Sequence, residues 1–117
     1  MITKNSKLSI ILLMSLAACA APGHGVKAEK TKEIGDDLVR SIESYRTENE
    51  AYPRSIDDLE GYPQILSAAN SANIKLFFVS NSPEHYELII KYFGPGSNLC
   101  VHRSTDDAGI WSCTGAY

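Results

Sequence analysis

Between Glu29 and Glu50 the apolar residues Ile34, Leu38, Ile42 and Tyr45 recur at intervals of four, four and three. Glu33, Asp36, Asp37, Arg40, Glu43 and Arg46 lie between them. The pattern predicts one amphipathic helix with a narrow apolar stripe that packs against a single surface. Tyr52-Pro53 ends it, because proline disfavours helical geometry in the residue before it. Ser55 then fits an N-cap, with Asp58 completing a Ser-x-x-Asp variant of the capping box and Ile56 and Leu59 facing inward. A helix of one or two turns is expected to follow and to stop at Gly61-Tyr62-Pro63. The stretch SAANSAN at 67–73 reads as a polar linker.

Beyond it the period changes to that of strands. Ile74–Ser80, His85–Phe93, Asn98–Arg103 and Ile110–Thr114 predict four short strands, separated by NSPE, GPGS and a turn at Asp106-Asp107. Connections this short join only antiparallel neighbours. The expected fold is therefore α+β, a long N-terminal helix and a short second helix packed on a four-stranded antiparallel meander. A two-residue turn at Asp106-Asp107 pairs Thr105 with Ala108, sets Cys100 opposite Cys113 and sets His102 opposite Trp111. A four-residue GPGS loop pairs Tyr92 with Leu99 and Ile90 with Val101. This register puts Tyr86, Leu88, Ile90, Tyr92, Leu99, Val101 and Ile110 toward the helix. Cys100, Cys113, Trp111, His102, Ile89 and Phe93 fall on the opposite face. There Leu76, Phe78, Ile89, Phe93 and Trp111 form a candidate partner-binding cluster, unless the 62–73 segment with Ile65 and Leu66 folds over it.

The N-terminus changes the picture from fold to address. Lys4 and Lys7 precede an apolar run from Leu8 to Ala18, which is too short for a membrane span of about 20 residues. Leu16-Ala17-Ala18-Cys19 resembles the lipobox of bacterial lipoproteins. The resemblance implies a signal peptide of residues 1–18, cleavage before Cys19 and acylation of that cysteine; Ala20 behind it implies the outer membrane, facing the periplasm. Of the three cysteines, Cys100 and Cys113 then remain as a disulfide pair, which an oxidising periplasm permits. Residues 19–28, including the glycine-rich AAPGHGV, are expected to form a lipidated flexible tether, and 29–117 a single domain. Loss of Lys4 and Lys7 with the leader takes the net charge from −3 to −5, which argues against nucleic acid as a partner.

Tyr45, Asn49, Tyr52, Pro53 and Leu59, in the spacing YRTENEAYPRSIDDL, resemble the Tyr-x-x-x-Asn-Gly-x-Tyr-Pro pattern of type II secretion major pseudopilins. The helix, the corner and the later sheet with its cysteine pair are similar to type IV pilin-like heads. Two departures qualify the likeness: Glu50 occupies the position where the family usually carries glycine, and a lipobox replaces the prepilin motif and its long apolar helix. The resemblance implies a pilin-like head moved onto a lipid anchor and unable to polymerise as a pseudopilin does. Some pseudopilin heads bind calcium in a late acidic loop, which marks Asp106 and Asp107. Calcium requires six or more oxygens, so these two are read as turn formers and no metal is expected.

Catalytic signatures are absent: the chain holds no Gly-x-Ser-x-Gly elbow, no phosphate-cradling loop and no His-Glu-x-x-His. The expectation is a non-enzymatic, cofactor-free lipoprotein, held at the membrane by its N-terminal lipid, that binds another envelope protein in a secretion or pilus system. The alternative is a small inhibitor or immunity lipoprotein that acts on a cell-wall hydrolase or toxin through the STDDAG loop.

Overall fold

Seven buried residues, Ala28, Thr31, Ile34, Gly35, Leu38, Val39 and Ile42, line one face of helix α1, Val26–Asn49. The computed structural model describes residues 21–94 and 96–116, so the leader and Cys19 lie outside the described residues. At 24 residues, α1 is about 36 Å long. It begins earlier than the apolar stripe alone predicts, because Ala28 and Thr31 extend that stripe toward the N-terminus. Its C-cap, Glu50, takes the left-handed conformation (φ 61°) and donates its N–H to Arg46 O at 2.7 Å.

The tyrosine-proline corner turns as expected. Tyr52 and Pro53 are buried, and the Tyr52 N–H donates to Pro83 O at 2.8 Å, which ties the corner to the first strand turn. Ser55 Oγ accepts from the Asp57 N–H at 3.2 Å, but it opens only a 3₁₀ turn, Ile56–Asp58. The second tyrosine-proline pair starts a helix instead of stopping one: α2 runs Tyr62–Ser71, with Pro63 in its first turn. There proline's missing N–H has no helical acceptor to lose and its fixed φ suits the helix. The expected polar linker 67–73 is thus largely helical. Ala69 is fully buried where α2 packs against α1 and β1.

The sheet has order β1-β2-β3-β4, made of Lys75–Ser82, His85–Phe93, Ser97–Arg103 and Ser112–Ala116, all antiparallel. Both helices contact it from one side. Cys100 pairs with Cys113 as the hairpin register predicts, and the two are disulfide-bonded. A cross-link over 13 positions stabilises a small domain by about 3 kcal/mol in the chain-entropy account.

The β2–β3 register differs by one residue from expectation. Phe93 pairs with Ser97, Tyr92 with Asn98 and Ile90 with Cys100, because three residues rather than four make the turn. The glycines at 94 and 96 take positive φ (123° and 67°), which lets the chain reverse in the shorter span. A slip of one exchanges the two faces of β3. Cys100 and His102 accordingly face the helices, while Leu99 and Val101 face away. The Asp106-Asp107 segment is not a two-residue hairpin either: two successive turns close with Asp106 N–H to Arg103 O (2.9 Å) and Ile110 N–H to Asp107 O (3.1 Å). β4 therefore starts at Ser112, and Ile110 is 53% exposed.

The chain before α1 is docked. Gly23 N–H donates to Tyr92 Oη at 3.0 Å, and Lys32 Nζ donates to Gly23 O at 2.6 Å. The expected tether of 19–28 is corrected on this point: from Gly23 onward the segment is fastened to the sheet, and Ala28 belongs to the core.

Gly35 sits where α1 comes closest to the sheet. A Cβ there would lie 2.6 Å from Trp111 Cζ2 and would also meet Ile90 Cδ1. Gly35→Ala should therefore lower stability by about 1–3 kcal/mol through overpacking, despite alanine's higher helix propensity. Glu50→Gly should raise it by up to about 1 kcal/mol, because glycine enters the left-handed region without strain. Urea denaturation of both variants checks the two signs, and a stabilised Gly35→Ala protein would contradict the close approach.

Candidate partner-binding surface

Alternation along each strand sorts the sheet into a covered face and an open one. Leu76 pairs with Ile90 and Phe78 with Leu88; both belong to the side that packs on α1 and α2. On the other side the ladder aligns Phe77, Ile89, Val101 and Ser112 in one row, with Lys75, Lys91, Leu99 and Thr114 in the next. Val79, Glu87 and Arg103 form a third row. Phe77, Val79 and Phe93 are 45%, 43% and 44% exposed, and no described helix covers them. Lys91 Nζ stands 5.5 Å from the Phe77 ring centre, and Arg103 Nε pairs with Glu87 at 3.6 Å on the rim.

Of the residues assigned from sequence to one partner-binding cluster, the fold separates most. Ile89 and Phe93 are on the open face. Leu76, Phe78 and Trp111 turn inward and pack against the core. Trp111 donates its Nε1–H to Asp36 at 2.8 Å, and its ring lies 5.3 Å from that of buried His102. His102 Nδ1 is 2.8 Å from Ile110 O and donates to it, so this histidine pins the 104–111 loop. Asp106 Oδ2 accepts the Arg103 N–H at 2.8 Å, the bond of a turn-forming aspartate. Asp107 is exposed without a place in that turn's side-chain bonding. Among the described residues, no three His, Cys, Asp or Glu side chains are grouped to hold a metal ion. Cys19 lies outside the described residues. Phe77, Val79, Leu99 and Val101 escaped the sequence reading. Phe77 and Val79 lie in the apolar run LFFV, where alternation alone does not say which parity is inward.

The other concentration of polar chemistry lies under the corner. Glu43 Oε1 accepts from Tyr52 Oη at 3.0 Å and from Tyr86 Oη at 3.5 Å. Arg46 Nη1 donates to Tyr52 Oη at 2.9 Å, with its guanidinium 4.7 Å above the Tyr52 ring. Tyr52 and Tyr86 meet edge to face at 4.7 Å. Burial pushes the Tyr86 hydroxyl far above the ordinary tyrosine range, and the Glu43 carboxylate pushes it further. Burial also raises Tyr52, against the opposing bond from Arg46, and raises Tyr62, with Asp57 adding to the effect. The Tyr52 and Tyr86 hydroxyls, so reluctant to ionise, serve as donors to Glu43 that lock α1 to the corner and the sheet.

No protein-family model, no curated protein and no solved structure matches the chain. No helix among the described residues is long and apolar enough to cross a membrane.

The raised tyrosines fix a pH dependence. An unfolded chain releases tyrosine protons near pH 10, whereas the folded protein holds them to higher pH, so the folded state binds more protons in that window. Stability should be fully present below about pH 10 and fall as pH rises beyond it. In Tyr86→Phe the fall should be shallower. Urea midpoints taken at neutral pH and above pH 10 test this, and parallel losses in the two proteins would contradict Tyr86 as the main contributor.

Proposed function

We propose that the protein is a lipid-anchored, non-enzymatic component of the bacterial cell envelope that faces the periplasm and binds another envelope protein. The carrying observation is the open-face apolar patch of exposed Phe77 and Val79 with half-buried Ile89 and Val101, on a domain preceded by Leu16-Ala17-Ala18-Cys19, which resembles a lipobox. A contiguous apolar surface of this kind on a small domain marks an interaction site, and its occupant is a protein with an apolar patch of its own. The Cys100–Cys113 bond fits an oxidising compartment. Ala20 behind Cys19 supports the outer membrane as the resting place.

Kinship with pilin-like heads is supported by the order of helix, tyrosine-proline corner and antiparallel sheet. It is supported again by Glu50, which holds the left-handed geometry at the position where pseudopilins carry glycine. Secretion or pilus assembly is the setting this kinship suggests. A second reading, a small inhibitor or immunity lipoprotein, is favoured by the exposed tip that joins Asp107 to Ile110.

Cross-linked partners recovered from detergent-solubilised envelopes should be retained by Asp107→Ala and lost from Phe77→Asp. The reverse pattern would transfer the binding site to the loop and support the inhibitor. An intact mass with an uncut leader or an unacylated Cys19 would remove the anchor from either reading.

A further inference from the structure

Four pieces of chain converge where the polypeptide enters the domain: residues 22–25, the first turn of α1, the β2–β3 connection and the end of β4. Beyond the Gly23–Tyr92 and Lys32–Gly23 bonds, a Cβ on Gly115 would lie 3.0 Å from Pro22 Cγ, and one on Gly94 would lie 3.6 Å from Lys27 Cδ. The entry is thus held against the sheet. At this end Val26 is 91% exposed and Phe93 is 44% exposed, with Lys27 and Lys30 on the adjoining helical turn.

Charge is distributed along the long axis. Every lysine after Cys19, namely Lys27, Lys30, Lys32, Lys75 and Lys91, belongs to this half; Lys75 and Lys91 are ladder partners two residues in from Phe93. Of the 14 acidic residues, Glu29 and Glu33 alone precede Asp36 on α1, and the remainder lie along the rest of α1, at the corner, on the opposite turns and, for Glu87, at the opposite end of β2. A protein with an acidic total therefore turns a basic, apolar-tipped end toward its own N-terminus.

Cys19 lies three positions before Pro22, and three residues of fully extended chain reach at most about 11 Å. An acyl group on Cys19 leaves no slack for the domain to swing away from the membrane. We infer that this end seats on the bilayer surface itself, with Val26 and Phe93 at the boundary between headgroups and acyl chains and Lys27 and Lys30 against the phosphates of anionic phospholipid. The inference rests on the lipid-anchored reading above. It adds an orientation: the strands stand up from the membrane, and the open face is presented sideways. Phe77, level with Ile89 and four residues along from Phe93, then sits about 13 Å further from the lipid.

Protein purified from membranes, with acylation of Cys19 verified by intact mass, is reconstituted into vesicles of phosphatidylethanolamine and phosphatidylglycerol. Tryptophan emission is read with and without brominated lipid for Phe93→Trp and for Phe77→Trp, each corrected for the Trp111 background of the parent. Phe93→Trp should lose about half or more of its added emission, the response of a side chain within roughly 5–10 Å of the acyl boundary, and Phe77→Trp little. Lys27→Glu combined with Lys30→Glu should weaken the Phe93→Trp response while acylation stays intact. Hydrogen exchange on the unmutated protein should slow at 24–30 and 93–97 on vesicles relative to detergent micelles, and stay unchanged at 79–82. Equal quenching at both tryptophans, no quenching at either, or exchange unaltered by vesicles would overturn the seating while leaving the anchor standing. A mass without acyl chains would overturn both.

Discussion

The close approach of α1 to the sheet at Gly35 governs the rest of the molecule. With no side chain there, the helix backbone settles onto Ile90 and the Trp111 ring. Trp111 in turn reaches Asp36 on the same helix, and His102 beneath it fastens the loop before β4. The disulfide closes the last two strands on the same side. A glycine inside a helix costs roughly 1 kcal/mol relative to alanine, and here that cost is offset by a contact no larger residue permits. Toward the far end of α1, Glu43 and Arg46 repeat the attachment through Tyr52 and Tyr86, this time with hydrogen bonds to hydroxyls that stay protonated.

Because α2 also settles on the α1 side, the described residues cover the sheet on one face only. Ile65 and Ala69 pack inward where the corner delivers them, so nothing in the 62–73 segment is left to shield Phe77, Val79, Ile89 and Val101. Antiparallel sheets tolerate one solvated face, but that face ordinarily alternates to polar residues. Here its central row is Phe77, Ile89 and Val101, and the polar residues Lys75, Lys91, Glu87 and Arg103 stand on either side. An apolar stripe framed by charge suits a docking surface better than it suits a free one.

The ends of the molecule differ as much as its faces. Lysines and exposed apolar residues gather where the chain enters, and carboxylates gather at the corner. A domain fastened to its own entry segment by Gly23 and Lys32 transmits the position of its N-terminus to the whole body. Whatever holds that terminus thereby sets which way the open face looks.

Much of this was legible in the sequence. The 3.6-residue stripe of Ile34, Leu38 and Ile42 specified α1, and alternation with short polar breaks specified the strands, because burial of one face imposes those periods directly. The Cys100–Cys113 pairing was expected from a two-residue turn, and the structure keeps that pairing across two successive turns instead. The parity of the strands did not follow. It depends on whether the turn after Phe93 takes three residues or four, and one residue moves Cys100 and His102 from the open face to the core. Tyr62-Pro63 likewise permits either an end or a beginning; only the surface offered by α1 and β1 makes SAANSAN worth winding into a helix. The existence of α1 and of the four strands was therefore set by the chain itself, whereas the winding of 62–71 into a helix and the composition of the exposed face were tertiary decisions, since which half of an alternating strand meets solvent is fixed by what lies across from it.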